Sequence, residues 1–125
     1  MVDIESFRLT SYPRSIDESW FSQDEKLQFE EGEADIWRIY SLIGLIEVRQ
    51  MGDVGDYAPA ITVPQQMIQA TAEDMITSRS RARLLGAQTA YREIADQDEG
   101  AARKIRRNVE SVKRQLRQQT PPARR

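Results

Sequence analysis

The chain contains no cysteine and no histidine. Without thiolate or imidazole there is no disulfide, no cysteine nucleophile, no imidazole base and no ordinary zinc, haem or iron–sulfur site, because those chemistries need sulfur or ring nitrogen. Phosphate-cradling glycine loops are missing too: neither G-x-G-x-x-G nor G-x-x-x-x-G-K-[ST] occurs. Gly52-Asp53-Val54-Gly55-Asp56 lacks the further oxygen ligands and the closing Glu of a calcium loop, so it is a turn. The longest greasy run, Leu42-Ile43-Gly44-Leu45-Ile46, falls far short of the ~20 residues that cross a bilayer. Met1-Val2-Asp3-Ile4-Glu5 opens acidic, whereas a secretory leader opens basic and continues apolar. These absences lead us to expect no catalytic or metal-binding residue, no cofactor, no small-molecule substrate and no membrane association.

What is present is 125 residues, enough for one domain, with 39% hydrophobic and 30% charged side chains. The net charge of −2 hides a polarity. Met1 to Ser78 holds 15 acidic and 5 basic residues, whereas Arg79 to Arg125 holds 5 acidic and 13 basic. Beyond Gly100 only Glu110 is acidic. Such a chain either pairs its acidic half with its basic end, within one molecule or head to tail between copies, or presents the basic end to an external anion.

The pattern predicts an all-α fold, a small helical bundle with an extended N-terminal arm over 1–21 and a projecting C-terminal helix. A minor β-hairpin near 45–63 is the alternative. The arm carries Trp20 and Phe21, aromatic anchors for the domain's own core or for a neighbouring subunit. Ser15–Glu18 and Ser22–Glu25 both have capping-box spacing. A helix over about 23–50 follows, in which Ile36, Ile39, Ile43 and Ile46 step 3, 4, 3 and Trp37, Tyr40, Leu42, Leu45 and Val48 fill other faces. Apolar nearly all round, it reads as a helix buried on several sides, with Gly32 as a kink or break. Residues 51–64 form a Gly/Pro loop. A helix over about 65–95 carries Ile68, Ala72 and Met75, then Leu84, Ala87, Tyr91 and Ile94. Its weakest stretch is Thr77–Ser80, and Ala82, Gly86, Ala87 and Ala90 would let another helix approach closely. At Asp96–Gly100 the pattern fits either a joint or a helix running from 65 to 118, which would be about 80 Å long. The last helix, 98–118, precedes a flexible basic tail over 119–125.

That last helix carries the clearest functional signal. Ala102, Ile105, Val109, Val112 and Leu116 step 3, 4, 3, 4 as a narrow seam that needs a partner, and Arg103, Lys104, Arg106, Arg107, Lys113, Arg114 and Arg117 coat the rest. Arginine predominates over lysine, which suits bidentate pairing with carboxylates and phosphates alike. The density would serve non-specific nucleic-acid binding, but no aromatic follows Arg92 to stack on bases. The acidic cluster Glu30, Glu31, Glu33 and Asp35 reads as the charged start of a helix, and Thr77, Ser78 and Ser80 have no general base nearby.

In outline the arm ending in Trp20-Phe21, the Ile36–Ile46 helix, the Gly52–Pro64 loop and the Ile105–Leu116 helix resemble the small helical adaptor or head-completion proteins of the tailed-phage neck. The resemblance covers the chain without a diagnostic motif. It implies a ring of copies docked below a portal, with the C-terminal segment engaging that portal. The expectation is a non-enzymatic assembly subunit of a virion, or of the cytoplasm that produces one, that oligomerises with itself. Trp20, Phe21, the Ile105, Val109, Val112 and Leu116 seam, and Arg103, Arg106, Arg107, Arg114 and Arg117 are its partner-binding residues. The competing classes are a nucleic-acid-binding accessory protein using the same arginines and a small adaptor or inhibitor of a host protein.

Overall fold

The computed structural model describes residues 7–9, 18–51 and 59–119. A 3₁₀ turn, Glu18–Trp20, precedes four helices: α1 (Gln23–Met51), α2 (Pro59–Thr77), α3 (Arg81–Gln97) and α4 (Glu99–Gln119). The described residues hold no strand, so the all-α expectation stands and the hairpin near 45–63 does not form. Its two halves instead close α1 and open α2. β-branched residues there also fit the 3.6-residue repeat, and packing against other helices decides between the two periods. Residues 1–6, 10–17, 52–58 and 120–125 lie outside the described residues, and with them most of the expected arm, much of the expected 51–64 loop and most of the expected tail.

Local chemistry explains each boundary. Ser22 and Glu25 form the reciprocal cap that the spacing predicts: Ser22 N donates to Glu25 Oε1 at 2.9 Å, and Glu25 N donates to Ser22 Oγ at 3.2 Å. Helix α1 then runs through Gly32 without the expected break. Helix α2 starts at Pro59 rather than near 65, so Pro64 lies inside it. Proline has no N–H to offer the carbonyl four residues earlier, which is that of Ala60. The Arg49 guanidinium of α1 donates to that carbonyl instead, so a side chain from the neighbouring helix replaces the missing bond.

The expected 65–95 helix is two helices. Ser78 Oγ donates to Met75 O at 2.8 Å, Arg79 adopts a left-handed φ of 55°, and Ser80 Oγ caps α3 by accepting from Arg83 N at 3.1 Å. At Asp98 the chain also breaks. Its N–H donates to Ile94 O at 2.6 Å and its Oδ1 accepts from Ala101 N at 3.1 Å, so one residue ends α3 and starts α4.

Cross-links give the topology. Gln28 and Ser80 are hydrogen-bonded near the starts of α1 and α3, Lys104 near the start of α4 meets Glu47 near the end of α1, and Gln69 Nε2 donates to Gln115 Oε1 at 2.8 Å between α2 and α4. The helices therefore alternate up, down, up, down, with α1 and α3 the most closely packed pair and α4 returning against α2 and α3. The C-terminal helix is built into the bundle and does not project. Its seam, Ile105, Val109, Val112 and Leu116, is buried with Ile36, Ile39 and Met75 in one core.

Phe7 and Leu9 are also in that core. Two side chains hold the segment: Gln88 Nε2 donates to Arg8 O at 2.7 Å, and the buried Lys113 Nζ donates to Phe7 O at 2.6 Å. Lys113 thus leaves the charged coat where the helical pattern placed it and ties the N-terminal segment to α4. A charge-assisted bond of this kind is worth roughly 1.5–3 kcal/mol. Lys113→Met is expected to cost about 2 kcal/mol in urea unfolding and to make residues near Phe7 a preferred site in limited proteolysis.

Candidate docking faces

The seam of α4 finds its partner inside its own chain. Ile105 and Val109 are fully buried and Val112 and Leu116 nearly so, which removes these four from the partner-binding set. The physical reason is that α1, α2 and α3 together offer α4 an apolar surface, so no second copy is needed to cover it. The arginines fare differently. Arg103, Arg106, Arg107, Arg114 and Arg117 are all exposed, Arg103, Arg107 and Arg114 on the side of α4 opposite the seam and Arg106 and Arg117 on one flank, at spacings of three, one, seven and three. They form a row about 21 Å long, at 1.5 Å per residue. Arg103 reaches Glu99 at 3.9 Å between exposed side chains, a contact of little energetic weight. Among the described residues Arg106, Arg107 and Arg114 take part in no ion pair.

Beside this row a cavity of about 210 Å³ opens between α1, α2 and α4. Ile43, Ile46 and Ile68 line it, with Gln65, Glu47, Lys104, Arg107 and Asn108 around them. Lys104 is bonded to Glu47 across α1 and α4, and Asn108 Nδ2 donates to Lys104 O at 2.8 Å. Arg107 is the cation of this group left without a carboxylate among the described residues.

Helix α1 is not buried on several sides. Its outer face exposes Trp37, Leu45 and Val48, with Trp37 stacked edge-on against Tyr40 at 5.7 Å. The two expected aromatic anchors separate. Phe21 is half-buried against Phe29, ring centroids 5.4 Å apart, whereas Trp20 is 71% exposed, so it anchors nothing in its own core.

The polar clamp between α1 and α3 was not among the expectations, which placed Asp35 with the exposed acidic start of a helix. Asp35 is buried, and Arg83 donates to it twice, Nε to Oδ2 at 2.7 Å and Nη2 to Oδ1 at 3.2 Å. Arg83 Nη1 also reaches Glu31 at 3.0 Å, and Arg38 approaches Asp35 at 3.8 Å. Burial pushes the Asp35 carboxyl above its ordinary value, outweighing the opposing pull of Arg83. The guanidinium is held more firmly charged: burial works against it, but Asp35, Glu31 and Asp74 prevail. The available signal was position, since Asp35 precedes Ile39 and Leu42 by four and seven residues and so belongs to the inward stripe, not to the exposed acidic start.

No family model matches the chain, and neither a curated protein nor a solved structure matches it. The functional reading therefore stands on these faces.

Proposed function

We propose that the chain is a non-enzymatic assembly subunit that oligomerises and docks onto a larger complex, as a head-tail adaptor of a phage neck does. The observation that carries this reading is the arginine row. A helix fully seated in the core holds Arg103, Arg106, Arg107 and Arg114 outward on a rigid backbone, where an acidic protein face can be gripped in register. Trp20, Trp37, Leu45 and Val48 supply exposed apolar area, a role that the buried α4 seam cannot fill.

The same row suits phosphate, which makes non-specific nucleic-acid binding the alternative. Light scattering and duplex binding in about 150 mM salt separate them. An assembly subunit is expected to be oligomeric and to leave the duplex free. A monomer that binds duplex with a steep salt slope, reduced by up to about 3 in Arg103/Arg107/Arg114→Ala, overturns the assembly reading.

A further inference from the structure

We infer that copies of this chain associate head to tail, with Trp20 of one copy seated in the cavity lined by Ile43, Ile46 and Ile68 of the next; the inference rests on the assembly reading above. Trp20 is the most exposed large apolar side chain among the described residues, and it stands immediately before α1 beside the exposed carboxylates Asp24 and Glu25. The cavity, about 210 Å³, has room for one aromatic side chain. Its apolar lining is rimmed by Lys104, which is bonded to Glu47, and by Arg107, which has no carboxylate among the described residues. An indole followed by two exposed carboxylates meets an apolar hole with one uncompensated cation, Arg107, at its rim, so shape and charge agree.

The occupant has to come from another molecule. Trp20 precedes the first residue of α1, whereas Ile43 and Ile46 lie twenty or more residues along it, about 30 Å away at 1.5 Å per residue. Because knob and hole lie at opposite ends, each contact leaves one of each unfilled. The interface is heterologous, and association continues from copy to copy instead of stopping at a two-fold dimer.

Sedimentation equilibrium from about 1 µM to 1 mM tests this, with variants chosen at exposed positions so that folding is spared. Trp20→Ala removes the knob, and Gln65→Trp blocks the hole from its exposed rim. Each variant alone is expected to weaken self-association at least tenfold. Their 1:1 mixture should restore it as dimers that grow no further, because only one productive contact remains. In a Trp37→Phe background, Trp20 emission should shift to the blue as concentration rises. If the wild-type chain self-associates and Trp20→Ala and Gln65→Trp do so equally well, this interface is wrong while the assembly reading survives. If the wild-type chain stays monomeric throughout, self-association falls and the inference with it.

Discussion

Gly86→Ala is expected to cost the fold about 3–5 kcal/mol, far more than the addition of one methyl group suggests. A Cβ at position 86 would lie 1.9 Å from the Phe29 carbonyl oxygen of α1. Gly32 is its counterpart, since a Cβ there would lie 1.9 Å from the Arg83 carbonyl oxygen of α3. Both obstacles are helix backbone, which has no rotamer to retreat into, so α1 and α3 have to move apart along their whole contact. Gly32→Ala should therefore cost about as much. The double variant should cost much less than the two losses added together, because helices already separated by one methyl leave room for the other. Gly44 provides the control on the same helix. Nothing lies within 4 Å of a Cβ there, so Gly44→Ala should be neutral or stabilise by up to about 1 kcal/mol. Urea unfolding followed by helical circular dichroism measures all four. Losses below about 1 kcal/mol at both Gly32 and Gly86 would mean that the helices do not cross this closely.

The crossing lies at one end of the molecule and the candidate docking cavity at the other. Gly32, Asp35 and Gln28 engage α3 in the first half of α1, while Ile43 and Ile46 line the cavity in the second. Stability and docking should therefore separate in mutants. Alanine at Arg106, Arg107 or Arg114 removes an exposed charge that has no ion pair among the described residues and should leave unfolding within about 0.5 kcal/mol of the parent.

Repeating apolar spacings were the most legible feature of the chain. Leu84, Ala87, Tyr91 and Ile94, and likewise Ala102, Ile105, Val109, Val112 and Leu116, are buried as their steps require, because a helix has to bury the stripe that its sequence draws. The Ser22–Glu25 cap was equally plain, being wholly local. What stayed hidden depended on contacts across the chain. Pro64 looks like a helix start unless Arg49 is known to serve the Ala60 carbonyl. Gly32 looks like a break unless Arg83 backbone is known to press against it. Lys113 looks like one more surface cation unless the Phe7 carbonyl is known to lie above it. For the docking faces, the arginine row was legible from spacing alone. The seam was legible as apolar but not as already occupied, since occupancy is a property of the other three helices.

Arg83→Met is expected to cost about 3–5 kcal/mol near pH 7, because it strands the Asp35 carboxylate in the core. Asp35 is only 2% exposed, and Arg38, at 3.8 Å with its own side chain half in solvent, is a poor replacement. The loss should depend on pH in a definite direction. The Asp35 carboxyl already lies above its ordinary 3.8, and removing Arg83 takes away its strongest lowering influence, so it rises further. For an acid raised in the folded state, the penalty is absent below 3.8 and grows as pH climbs through the folded value. The deficit of Arg83→Met relative to the parent should therefore shrink on acidification toward that range. Adding Asp35→Asn should recover much of the stability near pH 7 and little under acid conditions, where the stranded carboxyl is already neutral. Replacing both partners, as in Asp35→Leu/Arg83→Met, should come close to the parent, since a buried ion pair exchanged for packed hydrocarbon is often neutral. A deficit independent of pH would place the cost of losing Arg83 in its packing between α1 and α3, not in the charge it leaves behind.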